Sequence, residues 1–107
     1  MPLKVFITGA SSGIGQALAK HYAAEYQDKG GVIIGLAARR QDALETLKNS
    51  LTATTVIYPL DVRDAAALER AAEDFIKQFG APDIVIANAG VMATGLFKAS
   101  TDLMLRP

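Results

Sequence analysis

The chain has 107 residues, of which 50% are hydrophobic and 21% charged, and its 11 basic and 11 acidic residues give a formal net charge of zero. This length predicts one domain, and the charges form no basic block that would bind nucleic acid or an anionic membrane. No apolar run reaches the length of a membrane span, and no signal-peptide pattern is present, so a cytoplasmic protein is expected. With no cysteine and one histidine, neither a disulfide nor a metal site is predicted.

Strand-like and helix-like segments alternate along the chain. Short apolar runs predict buried strands over residues 3–8, 32–38, 54–60 and 83–87. Apolar residues three and four apart predict helices over residues 14–26 and 41–51, and a third helix that begins after Asp64 and ends at Gly80. In the first helix, the spacing predicts a packed face of Ile14, Ala17, Leu18 and Tyr22.

The alternation of strands and helices predicts an α/β fold. Consecutive parallel strands need right-handed crossovers, which place the helices on both faces of one sheet. A Rossmann-like, doubly wound parallel sheet in the order 3-2-1-4 fits this alternation, with the topological switch point between the first and fourth strands.

A glycine-rich segment, Thr-Gly-Ala-Ser-Ser-Gly-Ile-Gly at residues 8–15, lies between the first strand and the first helix. Glycines there allow the backbone to approach a phosphate, and the helix N-terminus offers N–H groups and the positive end of a dipole. The segment therefore predicts a pyrophosphate site. A tight strand-to-helix turn without a ligand is the alternative interpretation.

With these elements in this order, the chain resembles the N-terminal half of the short-chain dehydrogenase/reductase family. The resemblance depends on the glycine-rich segment, on Arg39 after the second strand, on Asp61 and Val62 after the third, and on residues 88–90 after the fourth. It implies that residues 1–107 form a single, incomplete dinucleotide-binding domain. It also implies NAD(P)(H)-dependent hydride transfer to or from a small-molecule carbonyl or alcohol in the full-length protein.

The resemblance also implies which residues bind the cofactor. Those around the pyrophosphate would be Gly9, Ser11, Ser12, Gly13, Ile14 and Gly15. Asp61 and Val62 would contact the adenine ring, although a strand-end Asx turn is the alternative for Asp61. The segment Asn88, Ala89 and Gly90 would steady the sheet and lie along the cofactor, although Ala87 replaces the first asparagine of the family's Asn-Asn-Ala-Gly pattern.

The end of the second strand bears on the choice of cofactor. Family members that prefer NAD have an acidic residue where this chain has Ala38, which is followed by Arg39 and Arg40. A guanidinium matches a 2′-phosphate, whereas a carboxylate would repel it. The resemblance therefore implies NADP(H) rather than NAD(H), with Arg39, Arg40 and Ser11 near the 2′-phosphate. The alternative makes both arginines solvated charges before a helix.

No catalytic residue is predicted in this chain. The family uses a serine and a tyrosine followed four residues later by lysine, and none of Tyr22, Tyr26 and Tyr58 has that lysine. We expect those residues beyond Pro107, so this chain alone is not expected to catalyse reduction. The apolar fourth strand would then form an exposed sheet edge. The alternative function is a non-enzymatic Rossmann-like module that associates with itself or a partner through that edge.

Overall fold

The computed structural model describes residues 2–10 and 13–87. In chain order, its elements are β1 (Leu3–Thr8), α1 (Gly13–Tyr26), β2 (Val32–Ala38), α2 (Gln41–Ser50), β3 (Thr54–Pro59), α3 (Ala65–Phe79) and β4 (Ile84–Ala87). The predicted bounds agree with these to within one residue. Within the described residues, no helix is both long and apolar enough to cross a membrane.

The strands form one parallel sheet in the order β3-β2-β1-β4, which confirms the predicted topology. Thr8, the last residue of β1, pairs with Ala37 of β2 and with Ala87 of β4. Ala38, the last residue of β2, pairs with Pro59 of β3. Since all four strands run in one direction, the segments that follow them leave the sheet at one edge, where ligands bind in open α/β sheets.

Helices cover both faces of the sheet. On one face, alternate strand residues such as Ile7, Ile34 and Leu36 pack with the buried side of α1 and α2. On the opposite face, Phe6 packs against Phe75 and its neighbours on α3. Two separate cores on opposite faces are what a doubly wound fold requires.

The packed face of α1 differs from the prediction. Gly15, Ala19 and Ala23 are buried, whereas Ile14 is 67% exposed and Ala17 is also exposed. Leu18 and Tyr22 lie at the margin, only partly buried against the core. The helix lies so close to the sheet that only small residues fit between them, so apolar spacing alone points to the wrong face.

The third helix begins and ends at the predicted residues. Asp64 occupies the N-cap position, and its carboxylate accepts a hydrogen bond from the backbone N–H of Ala67 at 3.2 Å. At the other end, Gly80 has a φ of 91°, and its N–H donates to the carbonyl oxygen of Ile76 at 2.7 Å. This positive φ favours glycine, and it turns the chain toward β4.

Candidate functional site

Three glycines shape the turn between β1 and α1. Gly9 has a φ of 69°, in the left-handed region that favours glycine. A Cβ atom on Gly15 would lie 2.5 Å from the carbonyl oxygen of Gly9 and 2.8 Å from the Cα of Ala10. A Cβ atom on Gly13 would meet nothing within 4 Å. Gly9 thus permits the turn, Gly15 permits close packing of the helix, and Gly13 leaves open space at the start of the helix.

The start of α1 can accept an anion. Gly13 is its first residue, and its first turn contains no acidic residue that would neutralise the positive end of the helix dipole. The backbone N–H of Ala10 donates to the carbonyl oxygen of Ala37 at 3.3 Å, which fixes the turn to the end of β2. Ser11 and Ser12 lie outside the described residues. In the described part of the turn, the start of the helix thus has open space at Gly13 and no acidic residue in its first turn.

The two arginines after β2 differ in their contacts. Both are exposed, but the Arg40 guanidinium donates to Asp42 Oδ2 at 3.0 Å. This hydrogen bond, together with the backbone N–H of Ala43, lowers the pKa of the Asp42 carboxyl. No hydrogen bond or ion pair to another described residue engages the Arg39 side chain. Of the two arginines, Arg39 is therefore better able to bind a new anion.

The segment after β3 is held by an arginine that the sequence reasoning missed. Asp61 Oδ1 accepts from the backbone N–H of Arg63 at 2.9 Å, which is the Asx turn considered above. The Arg63 guanidinium donates to the same oxygen through Nε at 3.2 Å and to Oδ2 through Nη2 at 2.9 Å. These bonds, the side-chain ones first, lower the pKa of Asp61 to about 2. The sequence signal that could have indicated this pair is an aspartate directly after a predicted strand, followed two residues later by an arginine.

The remaining predicted residues lie at the same edge or outside the described structure. Val62 is half-buried next to Asp61. Thr8 Oγ1 donates to the carbonyl oxygen of Ile86 at 3.4 Å, which joins the ends of β1 and β4. Asn88, Ala89 and Gly90 come directly after β4 and lie outside the described residues. The adenine contacts of Asp61 and Val62 stay a prediction.

Other groups with catalytic chemistry do not gather at this edge in the described part of the chain. The hydroxyl of Tyr58, on β3, donates to Asp74 of α3 at 2.6 Å. Burial, and then this carboxylate, raise the pKa of Tyr58. Across residues 2–10 and 13–87, no three histidine, cysteine or carboxylate side chains come together as metal ligands.

Comparison with known proteins identifies the family. A model of the short chain dehydrogenases matches residues 3–104. The chain belongs to this family. It is 39% identical over 103 residues to 11-beta-hydroxysteroid dehydrogenase-like 3 of Arabidopsis thaliana, an alignment that covers 92% of this chain and 32% of that protein. The chain therefore spans about a third of the length of that short-chain dehydrogenase relative.

Solved structures of the family share the fold. A double mutant of a Serratia marcescens short-chain dehydrogenase/reductase superposes with a TM-score of 0.78 at 23% identity, over 94% of this chain and 50% of that one. The L-sorbose reductase of Gluconobacter frateurii, solved with NADPH and L-sorbose, has a TM-score of 0.68 at 33% identity. That alignment covers 84% of this chain and 34% of the reductase. The sequence match thus establishes the family, and the structural superposition establishes the fold.

Proposed function

We propose that this chain is the cofactor-binding portion of an NADP(H)-dependent short-chain oxidoreductase. In the full-length protein, the nicotinamide would exchange a hydride with a small-molecule carbonyl or alcohol. One observation carries the proposal: the three glycines of the β1–α1 turn each have the geometry that a pyrophosphate-binding turn needs. The chain alone would not be catalytic, since it lacks the family's Tyr-x-x-x-Lys pattern.

The proposed contacts follow from the position of each residue at the sheet edge. The pyrophosphate would lie against the backbone from Gly9 to Gly15, with Ser11 and Ser12 in the same turn. Arg39 would bind the 2′-phosphate of NADP(H), and Asp61 and Val62 would contact the adenine. The preference for NADP(H) is supported by the Arg39 side chain, which no other described residue engages in a hydrogen bond or ion pair. It is also supported by the absence of an acid at Ala38 and by the NADPH-bound L-sorbose reductase among the relatives.

Replacing Arg39 with alanine tests the choice of cofactor. Because Arg39 would bind only the 2′-phosphate, Arg39→Ala should weaken NADPH binding about tenfold to a hundredfold, as expected for a charge-assisted hydrogen bond, and leave NADH binding unchanged. The fluorescence of the reduced nicotinamide reports both affinities, and the sequence has no tryptophan to interfere. Lys77→Ala, which removes an exposed charge from the last turn of α3, is the matched control. Equal loss of both cofactors, or a parent chain that prefers NADH, would contradict the assignment.

A second candidate function, self-association through β4, is favoured by one observation. Among the described strands, β4 pairs only with β1, and all four of its residues are half-buried. In this proposal, a second copy of the chain would cover the edge of β4 that no described strand pairs with. Val85→Lys should then shift the chain toward the monomer in sedimentation equilibrium, whereas Val56→Lys on β3, at the opposite sheet edge, should not. If both variants, with unchanged circular dichroism, sediment like the parent, association does not use β4.

A further inference from the structure

We infer that Arg63 is a specificity-determining residue: by holding the Asp61 carboxylate, it leaves Arg39 available for the 2′-phosphate of NADP(H). This inference rests on the proposed function, because it deepens the assignment of Arg39. In this arrangement Arg63 is a positioning residue, which acts through Asp61 and not through its own contact with the cofactor.

The contacts of Asp61 carry the inference. Three N–H groups of Arg63 reach its carboxylate: the backbone N–H at 2.9 Å, Nε at 3.2 Å and Nη2 at 2.9 Å. The two side-chain bonds make a bidentate pair, whose planar geometry a lysine cannot reproduce. The Arg63 side chain is 77% exposed, and that of Asp61 is 34% exposed. The pair thus lies at the surface, where a cofactor phosphate would approach.

The backbone brings Arg39 to the same place. Ala38 pairs with Pro59, and the N–H of Leu60 donates to the carbonyl oxygen of Ala38 at 2.9 Å. Arg39 and Asp61 therefore leave the sheet from adjacent strand ends. Arg39 also contributes, as the smallest of the stabilising charges, to the lowered pKa of Asp61. The two side chains are thus within electrostatic range of each other.

Without Arg63, the charges at this edge would compete with the cofactor. An unpaired Asp61 carboxylate would attract the Arg39 guanidinium, because nearby opposite charges stabilise each other. The same carboxylate would repel a 2′-phosphate, which carries up to two negative charges. With Arg63 in place, the Asp61–Arg63 pair has no net charge, and Arg39 remains a cation that no residue in the described part of the chain binds.

Two nucleotides isolate the effect of the 2′-phosphate. Adenosine 2′,5′-diphosphate and adenosine 5′-monophosphate differ only in that group, so the ratio of their dissociation constants, measured by calorimetry, cancels any change at the adenine. We expect Arg63→Ala to reduce the preference for the diphosphate about fivefold. Arg63→Lys keeps the charge without the bidentate geometry, so its preference for the diphosphate should lie between those of the parent chain and Arg63→Ala. Lys77→Ala changes the net charge equally and should leave the ratio unchanged.

The double variant shows whether Arg63 acts through Asp61. Asp61→Asn removes the negative charge, so Arg63→Ala should no longer lower the ratio when both substitutions are present. The carboxyl carbon of Asp61, followed by NMR, gives a second measure. Its titration midpoint should lie at about 2 in the parent chain and move toward the ordinary value of 3.8 in Arg63→Ala.

Each outcome has a definite meaning. A weaker preference for the diphosphate in Arg63→Ala, together with a restored preference in the double variant, supports the inference. An equal loss for both nucleotides would make Arg63 merely structural, and loss without recovery would mean that Arg63 binds the phosphate directly; either result overturns it. If the titration midpoint of the Asp61 carboxyl does not move in Arg63→Ala, the inference is also overturned. If the folded parent chain does not prefer the 2′-phosphorylated nucleotide, the proposed cofactor choice fails, and this inference fails with it.

Discussion

Replacing Gly15 with alanine is expected to destabilise the fold by about 2–3 kcal/mol and to abolish dinucleotide binding. The new Cβ would lie 2.5 Å from the carbonyl oxygen of Gly9 and 2.8 Å from the Cα of Ala10. Both are backbone atoms, which cannot rotate away as the end of a long side chain can, so α1 would have to move off β1. Urea denaturation followed by circular dichroism gives the change in the free energy of unfolding.

Gly13→Ala is the matched control for this prediction. A Cβ atom at Gly13 would meet no atom of a non-neighbouring residue within 4 Å, so the fold should keep its stability. The added methyl group would nevertheless project where the proposed pyrophosphate approaches the backbone, and binding should be lost. The two variants therefore separate the packing role of one glycine from the binding role of another. A Gly15→Ala chain as stable as its parent would contradict the close packing of α1.

Gly35→Val in the middle of β2 should destabilise the fold by about 3 kcal/mol. A Cβ atom at Gly35 would lie 2.7 Å from Phe6 Cδ2 and 2.9 Å from Phe75 Cδ2. Both rings are fully buried and pack edge to face, with their centroids 5.4 Å apart, so neither can move into solvent. Inserting carbon atoms into such a core forces strained rotamers or backbone shifts. Urea denaturation provides the measurement.

A second substitution at the same contact tests the cause. Phe75→Leu removes ring atoms from the space that the valine would enter, so Gly35→Val should cost less in that background than in the parent chain. The two changes should therefore be non-additive by about 1 kcal/mol, as expected for residues in direct contact. Additive effects would mean that the cost of Gly35→Val lies elsewhere, for example in the strand backbone.

Much of the fold could be predicted because its signals are local. Four apolar runs separated by helical spacing define the elements, and Asp64 and Gly80 mark the ends of α3 through their capping chemistry. The order 3-2-1-4 is the one typical of doubly wound dinucleotide-binding folds, and right-handed crossovers in that order place helices on both faces of the sheet. The packing of α1 could not be predicted in this way. Its buried residues are Gly15, Ala19 and Ala23, and small size at a close approach leaves no mark in a hydrophobic pattern.

The candidate site shows the same division. Gly9, Arg39 and Asp61 each follow a predicted strand, so their arrival at one edge of a parallel sheet follows from topology. The ion-pair partners of exposed charged side chains cannot be predicted from topology. The pairing of Arg40 with Asp42, and of Arg63 with Asp61, depends on side-chain geometry over two residues, and both pairs change which group is available to a ligand. The role of Gly35 depends on two aromatic rings far away in the sequence.

A titration of the parent chain and of Gly13→Ala with NADPH, followed by the fluorescence of the reduced nicotinamide, tests directly whether the β1–α1 turn binds the cofactor. Circular dichroism first establishes that both chains are folded. We expect saturable binding by the parent and none by Gly13→Ala, because the cofactor would lie against the backbone at that glycine. Equal binding by both chains, or no saturable binding by a folded parent, would contradict it.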